Sequence, residues 1–221
     1  MRGHFHECRA NSPNRSILNN TLASSSYLQN HPSERSYRLE HSYRVANIAK
    51  AIAQAEGFNV TYAVISGLLH DIAYCEEMST STDRIYHGRR SAAIARPFLE
   101  SLGLHADAVN QICYGIAIHV DDEADFECER TPFCETVGDA DNIDRFDVYR
   151  IYESLQFIQF SEMPLADKLN RVNSTIEKLT RYKDLKLGTA TAQTLWTQRL
   201  DYQLSFYERL KSQLDSSYAV L

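Results

Sequence analysis

The segment Val64-Ile65-Ser66-Gly67-Leu68-Leu69-His70-Asp71 joins an apolar run directly to two potential metal ligands. Its lack of a polar face predicts a helix that is buried on most sides, which we place at residues 61–74. An ionised Asp71 at the end of such a helix is costly to bury unless a positive group compensates it. A metal ion is the simplest compensator, because imidazole and carboxylate groups are ligands of Zn, Fe, Mn and Ni.

Further potential ligands lie at the starts or ends of other apolar stretches, where side chains from several helices can converge: His41, His87, His119 and Asp141. Two adjacent ligands cannot hold a catalytic metal alone, so the pattern favours a centre formed by several helices. Asp139 competes with Asp141 for the last position. The two are about 200° apart around a helix, so only one of them can face a metal.

Apolar positions repeat with helical spacing from Glu34 to Leu214, and we find no convincing strand, which predicts an all-α bundle. The periodicity predicts one helix from residue 34 that ends near Gly57, followed by helices at 61–74, 87–103, 106–119, 131–157, from 164 and 189–214. We divide the chain into a polar, poorly ordered segment (1–33), a metal-binding core (34–160) and a C-terminal helical hairpin (161–221).

The composition limits the classes of partner. The net charge of −6 argues against a broad surface for nucleic acid or anionic membranes, and no apolar run of about 18 residues is present to span a bilayer. Five cysteines without a C-x-x-C pattern, and a polar N-terminus unlike a signal peptide, favour a reducing cytoplasm. His4, His6 and Cys8 could chelate a metal, but in a loose tail we expect them to have no function.

The order of the ligands resembles the HD-domain superfamily of metal-dependent phosphohydrolases. The central signature is Gly67-Leu68-Leu69-His70-Asp71-Ile72-Ala73. Four other stretches are similar to family motifs in the same order: 40–46 around His41, 87–92 after His87, 116–119 before His119, and 139–144 around Asp141. The resemblance covers roughly residues 34–150, and residues 165–210 look like the helical hairpin that ends many small bacterial members.

The resemblance implies a role for each matching residue. His41, His70, Asp71 and Asp141 match the core metal ligands, with Asp141 favoured over Asp139 by the motif spacing. His87 and His119 match the extra histidines that complete a second metal site in some branches, and Asp71 would bridge the two ions. We therefore expect two divalent ions (Fe, Mn, Zn, Co or Ni, with Mg as a further option). Asp144 is expected to lie near the site, where it would either support a ligand from outside or carry a proton.

The implied reaction is hydrolysis of a phosphoester or phosphoanhydride by a metal-activated hydroxide, with Asp71 and Asp144 as the catalytic carboxylates. We expect a small phosphate-bearing substrate, a nucleotide foremost, with its phosphate bound by Arg89, Arg90 and Arg145. The sequence contains no phosphate-binding glycine loop that would name the substrate. Aromatic residues such as Tyr74, Tyr86, Tyr114 or Phe146 could contact a base, and a homodimer is left open.

Two other readings compete with hydrolysis. A few HD proteins resemble diiron oxygenases that use the same ligand types to activate O₂. A catalytically idle HD fold that senses nucleotides is the second alternative, although the presence of all six ligand residues argues against it.

Overall fold

The computed structural model describes residues 13–217, and all regular structure in that range is helical, which confirms the predicted all-α class. The helices are α1 (Pro13–Ser24), α2 (Ser26–Asn30), α3 (Pro32–Glu56), α4 (Val60–Leu69), α5 (Ser81–Ser101), α6 (Ala106–Ile118), α7 (Pro132–Arg145), α8 (Val148–Phe157), α9 (Leu165–Tyr182) and α10 (Ala190–Asp215). Short 3₁₀ helices lie at Ile72–Cys75 and Phe160–Glu162. Within residues 13–217, none of the helices combines the length and the apolar character that a membrane span requires.

The apolar side chains form two cores. One fills the space between α1, α2, α4, α5 and α6 and includes the buried Ile112 and Leu68. The other lies between α3, α7, α8, α9 and α10 and includes Val45 and Trp196. Because α3 packs against both α4 and α7, it lies between the two cores. The five helices α3 to α7 are therefore held together from both sides, and these are the helices that carry the predicted ligands.

Two glycines let the ligand-bearing helices approach closely. A Cβ atom on Gly67 would lie 2.6 Å from the Cα of Ala46, so α4 packs directly on the backbone of α3. A Cβ atom on Gly88 would lie 2.6 Å from the carbonyl oxygen of Ala117, where α5 meets α6. Each glycine is within three residues of a predicted ligand, so close helix packing brings His70 and His87 towards the other ligands.

The N-terminal segment is a correction to the sequence analysis. Residues 13–30, which we expected to be poorly ordered, form α1 and α2. Leu18 and Leu22, one helical turn apart, and Leu28 are buried against the first core. The Ser25 hydroxyl donates a hydrogen bond to the backbone carbonyl of Cys75. Burial of these three leucines stabilises the segment, although most of its other residues are polar. His4, His6 and Cys8 lie outside the described residues.

Several helix boundaries also differ from the prediction. The expected helix at 131–157 is two helices, since Phe146 ends α7 and the Asp147 side chain caps α8 by accepting from the Val148 amide. The expected helix at 61–74 ends at Leu69, and a 3₁₀ turn follows. Helix α5 begins at Ser81 rather than near His87, because Thr80 and Asp83 form a reciprocal capping box.

Candidate metal centre

The six predicted ligands converge from five helices. His41, His87 and Asp141 lie within α3, α5 and α7, whereas His70 and His119 directly follow the last residues of α4 and α6. Asp71 follows His70 and precedes the short 3₁₀ helix, so its carboxylate points into the space between the histidines. All six side chains are buried or nearly so.

The first cluster consists of His41, His70, Asp71 and Asp141. The Nε2 atoms of His41 and His70 lie 3.3 Å apart. The Asp141 Oδ1 atom lies 3.1 Å from the His41 Nε2 and 4.0 Å from the His70 Nε2. The Asp71 Oδ2 atom lies 3.7 Å from the His41 Nε2, and Oδ1 lies 3.7 Å from the His70 Nε2. These atoms form one small group of nitrogen and oxygen donors.

The second cluster consists of His87, His119 and the same Asp71. The Nε2 atoms of the two histidines lie 3.1 Å apart. The Asp71 Oδ1 atom lies 3.0 Å from the His87 Nε2 and 3.8 Å from the His119 Nε2. Asp71 therefore belongs to both clusters, and each contains the three or more ligand atoms within 4.8 Å of one another that could hold an ion.

The tautomers of the histidines fit metal binding. The Nδ1 atoms of His70, His87 and His119 donate to the backbone carbonyls of Gly67, Arg84 and Ile116. A carbonyl oxygen can only accept, so each of these Nδ1 atoms carries the proton. In the neutral ring, the lone pair is then on Nε2, which faces Asp71. Facing pairs of Nε2 lone pairs cannot bond to each other, so a proton or a cation must lie between them. Metal-bound histidines in proteins share this orientation.

The carboxylates stay ionised although they are buried. Burial raises the pKa of Asp71, but His70, His119, His87 and Arg38 outweigh it and hold the pKa well below the usual range. The pKa of Asp141 is likewise held low, by its hydrogen bond to His41 and the positive charge of that ring, against the effect of burial. The centre therefore offers two negative charges to a cation.

The histidines of the first cluster differ in basicity. Burial lowers the pKa of His41, but the hydrogen bonds to Asp141 and Asp144 outweigh it and raise the pKa to about 9. Burial lowers the pKa of His70 to about 4. His70 is therefore neutral and ready to act as a ligand, while a metal that binds His41 must displace its proton.

Asp144 holds His41 in place rather than facing the centre. Its Oδ2 atom accepts from the His41 Nδ1 at 2.8 Å, and Arg44 donates to both of its oxygens, at 2.8 and 3.2 Å. This carboxylate thus fixes the ring orientation of His41 from the outer side. The sequence did not indicate the part that Arg44 plays, and a direct proton-carrying role for Asp144 stays a prediction.

Asp139 lies on the opposite side of α7 from the ligands. Its Oδ2 atom accepts from the backbone amide of Gly188 at 3.0 Å, in the connection between α9 and α10. No ion pair to Asp139 occurs within residues 13–217. Of the two candidates that the sequence left open, Asp141 is the one beside His41.

Of the three predicted phosphate-binding arginines, the structure brings one to the centre. Arg145 lies one turn after Asp141, with its Nη1 atom 3.6 Å from the Asp141 Oδ2. Arg89 instead pairs with Asp121 at 2.5 Å and lies over the Tyr86 ring. Arg90 makes a bidentate pair with Glu76 on the surface.

Two other arginines lie beside the centre and escaped the sequence analysis. The Arg38 Nη1 atom donates to the Asp71 Oδ2 at 3.0 Å, and its guanidinium lies 3.2 Å from the centre of the Tyr74 ring. Arg38 therefore compensates part of the Asp71 charge that we had assigned to a metal alone. Arg84 precedes His87 by one turn, as Arg38 precedes His41. A helical side chain leans over the turn that precedes its own Cα, so each histidine lies beside the arginine three residues before it. This i−3 spacing was the sequence signal that could have identified both arginines.

Arg38, Arg84 and Arg145 line one wall of a large cleft. The cleft encloses about 1010 Å³ and continues along α8 and α9. Its remaining lining includes Tyr37, Phe146, Tyr149, Tyr152, Arg150, Glu153, Phe157, Arg171, Ser174, Thr175 and Lys178. Phe146 is thus the one residue of the four suggested base contacts that lines this space. Six cationic side chains and a single carboxylate, Glu153, face the cleft in a chain whose net charge is −6.

Comparison with known proteins agrees with this geometry. The profile of the HD domain matches residues 38–148, which is half of the chain and contains all six ligand residues. The chain therefore belongs to the HD domain family. Its fold is similar to that of a predicted HD superfamily hydrolase from an uncultured Thermotogales bacterium, with a TM-score of 0.59 and 22% sequence identity over 90% of this chain and 91% of the other. No curated protein matched the sequence.

Proposed function

We propose that the protein is a metal-dependent phosphohydrolase that cleaves a phosphoester or phosphoanhydride bond, with a nucleotide as the expected substrate. One observation carries the proposal: the Nε2 atoms of four histidines lie within 3.8 Å of the carboxylate of Asp71. With Asp141 this set supplies four nitrogen donors and two carboxylates, which suits two divalent transition-metal ions. Such ions, when bound, supply Lewis-acid polarisation of a phosphoryl group and activation of water.

Three arginine side chains of the protein would bind the phosphate group of the substrate. Arg38, Arg84 and Arg145 come from three different ligand-bearing helices and face the cleft next to the centre. Guanidinium groups bind phosphate oxygens in a planar, bidentate way, so three of them can orient a phosphoryl group and offset its charge. Arg38 also fixes the Asp71 Oδ2 atom. The cationic wall therefore supports a phosphorylated substrate over a neutral one.

The aromatic part of the cleft supports a nucleotide. Tyr149 and Tyr152 are stacked, with ring centres 6.3 Å apart, and Tyr152 is 60% exposed although it is a large aromatic residue. Exposed aromatic rings beside a basic groove provide flat surfaces on which any base can stack.

The test combines metal loading with a substrate screen. Metal-free protein is reconstituted separately with Mn²⁺, Fe²⁺, Co²⁺ and Mg²⁺, and release of phosphate or pyrophosphate is measured with nucleotides and simple phosphate esters. We expect release from at least one nucleotide that depends on the metal. Oxygen consumption with Fe²⁺ and no phosphate release would contradict the proposal and favour an oxygenase.

Arginine variants sharpen the same test. Arg38→Ala and Arg84→Ala each remove one cation of the wall and should lower kcat/KM by about 10- to 100-fold, as expected for charged hydrogen bonds. Arg90→Ala is the matched control, because this arginine pairs with Glu76 outside the cleft and should change kcat/KM less than about twofold. Equal losses in all three variants would indicate a general charge effect instead of a phosphate clamp.

A further inference from the structure

The α9 helix presents a polar stripe to the cleft on the side away from the ligand-bearing helices. Arg171, Ser174, Thr175 and Lys178 all line the cleft, and their i, i+3, i+4, i+7 spacing puts them on one face. The neighbouring face buries Val172 and Leu179 in the second core. At 1.5 Å per residue, the stripe extends about 10 Å from Arg171 to Lys178.

The cations of this stripe have no carboxylate to neutralise them. Within residues 13–217, neither Arg171 nor Lys178 forms an ion pair, whereas Arg38, Arg145 and Arg150 in the same cleft pair with Asp71, Asp141 and Glu153. Lys178 lies 5.3 Å above the Tyr182 ring. The Thr175 hydroxyl donates to the backbone carbonyl of Arg171, so Ser174 is the hydroxyl left to donate to a ligand. Two unpaired cations with this hydroxyl between them form a surface that suits an anion.

The cleft is larger than a single phosphate ester needs. Its volume of about 1010 Å³ is at the upper end of the roughly 300–1,000 Å³ that small-molecule sites occupy. The α8 wall contributes the stacked Tyr149 and Tyr152, and Phe157 at the end of α8 is 90% exposed. Cations thus lie at the metal centre and again along α9, and aromatic rings line the same space.

We propose that the α9 stripe is a second anion subsite, which binds a phosphate group of the substrate that is remote from the scissile one. The inference rests on the proposed function and narrows it to nucleotides that carry phosphate at two separate places. In this arrangement the scissile phosphate meets Arg38, Arg84 and Arg145, the base lies against the α8 tyrosines, and the remote phosphate meets Arg171 and Lys178. These two residues would set specificity without touching the reacting atoms.

The experiment compares Arg171→Ala, Lys178→Ala and the double variant with Arg181→Ala. Arg181 is the matched control, because it is an exposed cation on the same helix that does not line the cleft. The probes are nucleoside 5′-monophosphates, the corresponding 3′,5′-bisphosphates and the 5′-diphosphates. The bisphosphates and diphosphates distinguish a remote phosphate from an extended phosphate chain.

We expect the double variant to raise KM for a bisphosphate by about 10-fold or more, with kcat unchanged, since each lost contact is a charged hydrogen bond. An effect of this size on the diphosphate alone would show an extended phosphate chain and overturn the proposal. In the double variant, KM for the monophosphate should change less than about twofold. In Arg181→Ala, KM for every probe should change less than about twofold. Equal effects on mono- and bisphosphates, or no effect on either, would overturn the subsite. So would a bisphosphate that binds α9 without competing with the hydrolysed monophosphate, since this would be an independent anion site.

A binding measurement separates this inference from the proposed function. Calorimetric titration of the metal-free protein with the monophosphate, bisphosphate and diphosphate needs no turnover. A wild type that binds the bisphosphate no more tightly than the monophosphate contradicts the subsite. A wild type that prefers the bisphosphate, with the preference lost in the double variant, supports the subsite even if no nucleotide is hydrolysed, in which case the proposed function alone fails.

Discussion

The two sides of α7 bury carboxylates in opposite electrostatic environments. On the side of the metal centre, Asp141 lies beside His41 and Arg145, and the hydrogen bond to His41 keeps the Asp141 pKa below the usual range against the effect of burial. On the other side, burial raises the pKa of Asp139 to about 7, opposed by one backbone hydrogen bond from Gly188 and reinforced by the charge of Glu135. Two residues apart on one helix, one aspartate is prepared as a charged ligand and the other is stable when protonated.

The contrast shows how a fold can bury acids for different purposes. A charge that is surrounded by histidines and arginines remains available to a cation, so the cost of burial is offset before any metal binds. A carboxyl without such partners avoids the cost by keeping its proton. The ligand position on α7 therefore depends on which side of the helix faces basic side chains. Beside Asp141 these are His41 of α3, His70 after α4 and Arg145 of α7 itself.

The largest effect that should separate the two sides is on catalysis. Asp141→Asn keeps the side-chain volume but removes the ligand charge, and we expect kcat/KM for the identified substrate to fall by at least about 100-fold. Asp139→Asn on the opposite side should change it less than about twofold. Steady-state kinetics at saturating metal measure both variants, and similar losses in the two would end the distinction.

A smaller effect is expected from the carboxylate that orients a ligand. Asp144→Asn weakens the hold on the His41 Nδ1 atom, so metal affinity should fall by about 10- to 100-fold. Asp147→Asn is the control, because Asp147 also pairs with an arginine, Arg199, and retains its capping role as asparagine without contact to a ligand. Competition titrations with a metal chelator give the affinities. Unchanged affinity in Asp144→Asn would instead favour a direct role in proton transfer.

The third effect is on stability and concerns Asp139 alone. The raised pKa means that the folded protein keeps the Asp139 proton while the unfolded chain loses it near pH 4, so stability falls as pH rises from about 4 to about 7 and is constant above. Asp139→Asn removes this penalty and should stabilise the metal-free protein by roughly 2–4 kcal/mol at pH 8, with little change at pH 4.

Urea unfolding of the metal-free protein at a series of pH values measures this difference. The same stability difference at every pH would show that Asp139 has an ordinary pKa in the folded protein. If Asp139→Asn instead destabilised the protein at neutral pH, the folded state would favour the ionised carboxylate, and a positive partner would have to lie near it.

The sequence predicted the helical class, and it predicted six candidate ligands that the structure brings together, because these residues are adjacent to strong apolar patterns that periodicity detects. It could not choose between Asp139 and Asp141 from helix geometry alone, since that choice depends on which neighbouring helix packs on each side of α7. The structure answers it with the His41 contact on one side and the Gly188 contact on the other.

The substrate-facing cations were harder to predict. Arg90, just after His87 in the sequence, was expected to bind phosphate, yet it pairs with Glu76, whereas Arg84 on the preceding turn lines the cleft. A helical side chain leans towards the N-terminus of its helix, so the turn before a ligand lies beside it. The cleft itself depends on how α8 and α9 pack beside α3 and α7, and the break near Phe146 that positions α8 had no clear sequence signal.

The central claim is that two ligand clusters share Asp71 and together bind two ions. The most direct test is elemental analysis of protein reconstituted with excess Mn²⁺ or Fe²⁺ and then freed of unbound metal. We predict two equivalents per chain in the wild type and one in a variant that combines His87→Ala and His119→Ala, with the remaining ion held by the first cluster. One equivalent in the wild type, or two in the double variant, would contradict the account.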